Sequence, residues 1–145
     1  MDTKDFIIKT YKLAEKLKRE GLKNVLCHTE IHHWNMMQGE NLVIIDWEGL
    51  KLAPPEHDLF SIILKPYGNN FLNEYFKFMP NYKPNQEVLE FYFLRRKLED
   101  IWEWVELLHY GNPEGEAREE ALAGLLGEFK EKIFWGIRYE KNLCK

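Results

Sequence analysis

The sequence predicts a mostly helical α+β domain that contains one small β-hairpin. Apolar residues recur at helical spacing near the start of the chain and through most of its second half. Between these regions, short apolar runs alternate with turn residues, which is typical of strands. The chain has 145 residues, 45% of them hydrophobic, which suits one globular core. We therefore expect residues 1–145 to form a single domain.

The first third of the chain is predicted to hold one helix and three strands. Phe6, Tyr11 and Leu17 belong to an apolar stripe that predicts an amphipathic helix over residues 5–20, and Gly21 is a natural stop. Strands are predicted at residues 24–27, 34–38 and 42–47. The last two flank a Gly-Glu-Asn turn, so we expect them to pair as a hairpin.

Prolines divide the rest of the chain into helices. Pro54 and Pro55 exclude a helix there, because proline restricts both itself and the residue before it. Helical patterns then predict four helices, at residues 56–64, 71–78, 86–110 and 114–140. The predicted order is thus a helix, a small hairpin and a helical bundle.

Composition excludes several classes of protein. A net charge of −4 without a dense basic cluster argues against nucleic acid as a partner and favours a cationic or neutral ligand. The two cysteines, Cys27 and Cys144, form no disulfide framework, which indicates a reducing compartment. There is no signal-peptide pattern and no apolar stretch of about 20 residues. We expect a cytoplasmic protein with no membrane partner.

One constellation has the spacing of a kinase catalytic loop. Glu30 is followed five residues later by Asn35, and Asp46 ends the next apolar run. In a hairpin these residues would meet at one edge. Asn and Asp oxygens can hold magnesium on a nucleotide's phosphates, while the first acid can accept the proton of an attacking hydroxyl.

The segments CHTEIHHWNMM and VIIDWEGLKLAPPEHDLF resemble those of the aminoglycoside phosphotransferase and choline kinase family, most closely its spectinomycin phosphotransferase branch. The resemblance is specific over residues 26–60. It implies the C-terminal lobe of a kinase-like fold that transfers phosphate from ATP, with Mg²⁺, to a small hydroxylated, aminoglycoside-like molecule. It implies roles for seven residues: catalytic Glu30, metal-binding Asn35 and Asp46, an adenine floor of Met37 and Ile45, and loop support from His28 and Asp58.

The chain departs from the family in two ways. Glu30 stands where the family has Asp, and its extra methylene shifts the carboxylate at a position where about 1 Å can cost on the order of 10²-fold in rate. Only some two dozen residues precede the loop, with no Gly-rich motif or strand-borne Lys among them. We therefore expect the ATP-binding N-lobe to be absent, and a homodimer or a separate N-lobe chain to cover the site.

Blander interpretations remain open. The chain could be a catalytically silent remnant that serves as a binding module. Met37 and Ile45 could be ordinary core residues of the hairpin, and Asp58 a plain helix cap. A zinc site is another interpretation, with ligands drawn from Cys27, His28, Glu30, His32 and His33. The P-C-x-x-C motif that would complete the signature of a zinc deaminase is missing.

Overall fold

The computed structural model describes residues 3–130. Its helices and strands, in chain order, are α1 (Thr3–Leu17), β1 (Val25–Cys27), β2 (Met36–Gln38), β3 (Leu42–Ile44), β4 (Lys51–Ala53), α2 (Glu56–Ile63), α3 (Gly68–Phe78), α4 (Gln86–Tyr110) and α5 (Gly115–Lys130). This mostly helical structure with a small β part confirms the predicted class. The chain divides into two compact units, residues 1–96 and 97–145, and α4 contributes to both. Within residues 3–130 no helix has the length and hydrophobicity to cross a membrane.

Most helices lie where the hydrophobic pattern places them. The long helix α4 matches its prediction at both ends, and α2 ends one residue early. Helix α1 stops at Leu17 because residues 18–21 form a turn, in which Gly21 adopts a φ of 60°. Helix α3 begins at Gly68, three residues before its predicted start. Residues 131–140 of the predicted last helix lie outside the described residues.

The close approach of α3 to α2 explains the early start of α3. A Cβ atom at Gly68 would lie 2.0 Å from the carbonyl oxygen of Ile63, the last residue of α2. Glycine allows the two helices to be joined by a very short connection. The role of Gly68 is therefore steric, whereas a glycine in the sequence by itself indicates only a break between helices.

Two predicted strands are shorter than expected, and this changes the setting of two candidate residues. Asn35 lies in a 3-10 turn, His33–Asn35, that precedes β2, so the prediction that it opens a strand is wrong. Asp46 lies two residues beyond β3, with φ 64° and ψ 63°, and a second 3-10 turn, Trp47–Gly49, follows it. A residue with positive φ cannot continue a strand, so Asp46 does not close one.

The strands form two separate two-stranded sheets. The predicted hairpin is confirmed: β2 and β3 pair antiparallel with Met36 opposite Ile44 and Met37 opposite Val43. The other sheet pairs β1 with β4, placing Cys27 opposite Lys51, and β4 was not predicted. With three residues next to two prolines, β4 has no clear pattern of its own. Its partner is more than 20 residues away along the chain.

The core of the first unit joins α1 to the beginning of α4. Leu17, Val88 and Tyr92 form a buried cluster, against which Leu22, Phe60 and Phe91 pack. Ion pairs between Lys9 and Glu90 and between Lys16 and Glu87 connect the same two helices at the surface. Exposed pairs of this kind contribute little, so burial of the apolar cluster provides most of the stabilisation.

In the second unit, α5 packs closely on residues 97–110 of α4. A Cβ atom at Gly124 would approach the Trp104 ring to 2.6 Å, so only glycine permits this contact. The ammonium of Lys97 donates to the carboxylate of Glu128 at 2.5 Å, and both side chains are mostly buried. Removing either partner would leave a poorly solvated charge.

One buried histidine in the first unit makes stability depend on pH. The ring of His57 lies 4.2 Å from that of Tyr92, and its Nδ1 has no hydrogen-bond partner among the described residues. Burial, assisted by the charges of Lys51 and Arg95, lowers the pKa of His57 to about 4, from 6.5. The folded protein therefore holds this imidazole neutral at pH values where the unfolded chain binds a proton.

We predict that His57 causes a loss of stability as the pH falls from about 6.5 to about 4. In that pH range the imidazole of the unfolded state binds a proton, whereas that of the folded state stays neutral. The free energy of unfolding therefore falls by about 3 kcal/mol over the whole range. Urea unfolding at pH 7 and pH 4 measures the loss in the wild type and in His57→Leu, which lacks the titrating group. The loss should be smaller in His57→Leu. Exposed His109 provides the control, because His109→Leu should keep the wild-type pH dependence.

Candidate active site

The candidate loop begins where β1 ends, and the pairing of β1 with β4 positions its first residues. The β1–β4 register continues beyond the strands, since the Thr29 hydroxyl donates to the carbonyl of Gly49 at 3.0 Å. A Cβ atom at Gly49 would lie 2.6 Å from Thr29 Oγ1. Thr29 has a φ of 77°, which is unusual for a β-branched residue. The chain therefore turns sharply at Thr29, against a segment whose glycine leaves room for it.

Helix α2 holds this turn through two polar side chains. The Asp58 carboxylate accepts hydrogen bonds from the backbone N–H groups of His28, at 2.8 Å, and Thr29, at 2.6 Å. One helical turn later, the Ser61 hydroxyl donates to the carbonyl of Ile31 at 2.7 Å. The N-cap of α2 is Pro55, so the interpretation of Asp58 as a plain helix cap is wrong. Its carboxylate instead orients the loop.

His28 connects the loop to the segment that carries Asp46. The buried ring accepts a hydrogen bond from the Glu30 N–H at Nδ1, 3.3 Å away, so Nε2 must carry the proton. Nε2 then donates to the carbonyl of Ile45 at 2.8 Å. The Trp47 ring packs edge-on against the imidazole at 4.7 Å. A neutral histidine therefore links Glu30 to the residue that precedes Asp46.

Asn35 provides the second link. Its Nδ2 donates to the carbonyl of Glu30 at 3.1 Å, while its own backbone carbonyl accepts from the N–H of Ile45 at 3.0 Å. The residue is buried and its amide orientation is fixed, because only the NH₂ group can donate to a carbonyl. The remaining amide atom, Oδ1, is an oxygen acceptor next to the loop.

The three motif residues thus belong to one hydrogen-bonded unit. Glu30 and Asn35 are joined directly, and Asp46 follows Ile45, which is bonded to both His28 and Asn35. The side chains of Glu30 and Asp46 are exposed, whereas Asn35 is buried. Exposed carboxylates and amide oxygens are the kinds of ligand that Mg²⁺ prefers.

Met37 and Ile45 lie on an exposed face of the hairpin. Met37 stands opposite Val43, and Ile45 continues the Val43 side of β3 two residues on. Met37 is 57% exposed and Ile45 37%, so the interpretation that they are core residues is wrong. We call the surface of Met37, Val43 and Ile45 the hairpin face.

Cys27 is part of the interior. Its thiol lies 3.4 Å from the carbonyl oxygen of Ala53, and burial together with the nearby charge of Asp58 raises its pKa to about 11. The thiol is therefore protonated at neutral pH. Within residues 3–130 no three His, Cys, Asp or Glu side chains are grouped as metal ligands, which gives the zinc interpretation no support.

Comparison with known proteins identifies the family. The sequence pattern of the phosphotransferase enzyme family matches residues 3–82, more than half of the chain. The chain belongs to this family. Two solved structures of spectinomycin phosphotransferase, APH(9)-Ia, are similar to it, each at 26% sequence identity. The complex with ADP and spectinomycin has a TM-score of 0.68 over 85% of this chain, and the AMP-bound complex 0.65 over 86%.

The similarity covers only part of the relatives. The chain spans 39% and 40% of the length of the two spectinomycin phosphotransferase structures. No match was found among curated proteins. The family and these structures together confirm the resemblance to aminoglycoside phosphotransferases that the loop and the Asp46 segment predicted.

Several residues that shape this site were not predicted. Ser61 is one of them, since it holds the loop by its hydroxyl. Its spacing of three from Asp58 was the available signal, because such a pair shares one face of a helix. Gly49 and Trp47 left no such signal, since their contacts with Thr29 and His28 depend on how the sheets are placed.

We predict that Asp58→Ala loosens the loop. Loss of the carboxylate leaves the His28 and Thr29 amides without a charged acceptor, which should cost about 3 kcal/mol or more and speed their hydrogen exchange at least tenfold. Exchange measured by NMR tests this, with Asp58→Asn as the isosteric variant that presents NH₂ to one of the two donors.

Glu74→Ala provides the control, because the exposed Glu74 carboxylate bonds the Lys77 ammonium within α3. Its removal should change stability by about 0.5 kcal/mol or less. Unchanged exchange at residues 28 and 29 in Asp58→Ala would mean that the loop does not depend on α2.

Proposed function

We propose that this chain is the C-terminal, catalytic lobe of an ATP- and magnesium-dependent phosphotransferase that acts on a hydroxyl group of a small molecule. The observation that carries the proposal is the hydrogen-bonded unit in which His28 and Asn35 join Glu30 to the Asp46 segment. Family membership supports a phosphotransferase-like function. The similar spectinomycin phosphotransferase structures contain ADP with spectinomycin, or AMP, which supports a nucleotide and a hydroxylated acceptor.

Asn35 and Asp46 are the proposed magnesium ligands. Nδ2 of Asn35 is bonded to the Glu30 carbonyl, so Oδ1 is the amide atom that would bind the ion. The Asp46 carboxylate is exposed. Two protein oxygens are a usual complement for Mg²⁺, which keeps several waters and phosphate oxygens as its other ligands. When bound, the ion would neutralise charge on the transferred phosphoryl group.

Glu30 is the proposed base. Its backbone is held at both the N–H and the carbonyl, so the position of the residue does not depend on its side chain. The exposed carboxylate can accept the proton of an incoming hydroxyl. Replacement of the family's Asp by Glu lengthens the reach by one methylene, and positioning accounts for much of phosphoryl-transfer catalysis. We therefore expect transfer to be slow.

The hairpin face is the proposed floor for the adenine ring. Met37 and Ile45 are exposed and apolar; Met37 lies on β2, which follows Asn35, and Ile45 lies between β3 and Asp46. A base placed there would contact protein on one side. Residues outside this sequence would have to cover the other side, so we expect the chain alone to bind nucleotide weakly.

We predict that Mg-ATP binds to this chain through Asp46. Calorimetric titration should detect binding that Asp46→Ala abolishes, because the variant removes one of two protein oxygens from the ion. Glu48→Ala is the matched control, since Glu48 is an exposed acid two residues further on. It should bind as the wild type does.

The same titration separates the enzyme from its alternative. Glu30→Gln should keep nucleotide binding while abolishing phosphate transfer, because it removes only the proton acceptor. If no heat is detected at millimolar Mg-ATP, the chain is instead a catalytically silent member of the family that acts as a binding or interaction module.

A second polypeptide is the proposed partner for the hairpin face. That face and Ile7, Ile8 and Tyr11 of α1 leave large apolar side chains in water. Exposed patches beyond a few hundred Å² are unusual on monomers and are commonly covered. The occupant would be a second copy of the chain or a chain that carries the N-lobe. Because the same face is the proposed adenine floor, a second copy there would compete with nucleotide.

We predict that the isolated chain forms a homodimer through this face. Light scattering should give twice the monomer mass of 17.5 kDa at micromolar concentration. Val43→Asp places a charge on the hairpin face and should shift the equilibrium towards monomer. Phe78→Asp, at an exposed position on α3, serves as the control. A wild-type monomer would exclude the homodimer and favour a separate N-lobe chain.

A further inference from the structure

Trp34 is an exposed aromatic residue inside the catalytic loop. Its side chain is 78% exposed, although tryptophan is a residue that proteins usually bury in large part. It lies four residues after Glu30 and directly before Asn35, between the proposed base and a proposed magnesium ligand. Neither role requires an aromatic ring at this position.

The backbone around Trp34 is fixed on both sides. The N–H of Asn35 donates to the carbonyl of His32 at 2.9 Å, which closes the 3-10 turn that contains Trp34. The Asn35 side chain bonds Glu30 at 3.1 Å, so the whole segment from 30 to 35 is a closed loop. A ligand that binds this side chain therefore does not have to order the backbone of the loop.

The indole is also supported by a neighbouring ring. The centroid of the His33 ring lies 4.8 Å from that of Trp34, with 41° between their planes. This contact covers part of the tryptophan, and most of the ring remains open to solvent. The open surface is a flat, electron-rich π system, which attracts cations as well as apolar groups.

The charges nearby have the sign that a cation requires. Glu30 and Asp46 are exposed acids of the same hydrogen-bonded unit, and the chain as a whole carries a net charge of −4. An aromatic face in combination with carboxylates of the same hydrogen-bonded unit is the chemistry that recognises alkylammonium groups. A neutral apolar ligand would gain from the indole but nothing from the acids.

We propose that Trp34 is a specificity-determining residue, on which an alkylammonium group of the acceptor molecule rests while its hydroxyl faces Glu30. The proposal rests on the phosphotransferase function proposed above and adds to it a residue that selects the acceptor. Because Trp34 and Glu30 share one closed loop, a compact amino alcohol could contact both.

Two small probes of similar size test the charge requirement. Tetramethylammonium chloride is the cation, tert-butanol is its neutral counterpart, and sodium chloride matches the ionic strength. The indole N–H signals of the full chain in a ¹⁵N–¹H NMR spectrum report on each tryptophan, and Trp34→Phe assigns the signal of Trp34. We expect a saturable shift of that signal with tetramethylammonium, and not with tert-butanol or sodium chloride.

Substitutions then measure the contribution of the ring. The backbone N–H signals of residues 30–35 in the same spectrum report binding in variants that lack the indole. Trp34→Ala should weaken tetramethylammonium binding about fivefold, and Trp34→Phe by a smaller factor, because the phenyl face attracts cations less than the indole does. Trp102→Phe is the matched control, because Trp102 is also exposed, at 57%, but lies on α4. It should bind tetramethylammonium as the wild type does.

The outcomes distinguish this proposal from the proposed function. If Trp34→Ala binds tetramethylammonium as tightly as the wild type, or if tert-butanol shifts the Trp34 signal equally, the proposal that Trp34 binds an alkylammonium group is overturned. Asp46→Ala should remove Mg-ATP binding and only weaken the response of the Trp34 signal to tetramethylammonium, because Glu30 and the indole remain. A shift of the Trp34 signal with tetramethylammonium, without any nucleotide binding, would support cation binding by Trp34 and overturn the phosphotransferase function.

Discussion

The pair of hydrogen bonds from the His28 and Thr29 amides to the Asp58 carboxylate is the constraint on which the site depends. Thr29 adopts a left-handed conformation that costs a β-branched residue about 1–3 kcal/mol. Hydrogen bonds to a charged acceptor contribute about 1.5–3 kcal/mol each, so two of them offset that strain. Helix α2 therefore fixes a turn that the loop would not adopt by itself.

Two very small sheets are joined into one site by side chains. A two-stranded sheet of three-residue strands is marginally stable alone. His28 donates from the end of β1 to the carbonyl of Ile45 beyond β3, and Asn35 joins the loop to the same residue. The polar residues at the edge thus connect the sheets while they place Glu30 beside the Asp46 segment. Structure and chemistry depend on the same groups.

This arrangement would accommodate Glu30 as the proposed base. The loop is held by backbone groups of residues 28–31 and by the Asn35 amide, and none of these contacts involves the Glu30 side chain. The longer carboxylate therefore leaves the loop geometry intact and changes only its own reach. The side chains of Glu30, Asp46 and Trp34 are all exposed.

The sequence alone determined the helices with strong periodicity, the hairpin, and the spacing of Glu30, Asn35 and Asp46, because these features depend on residues near one another in the chain. Tertiary structure decided the rest. Three contacts join segments about 20 to 30 residues apart: the pairing of β4 with β1, the contact of Gly49 with Thr29, and the hydrogen bond from Ser61 to the loop. The backbone conformation at Asp46 also follows from its surroundings, since the pattern of its own apolar run indicated a strand. Such pairings depend on which segments pack together, and local hydrophobic patterns do not encode that choice.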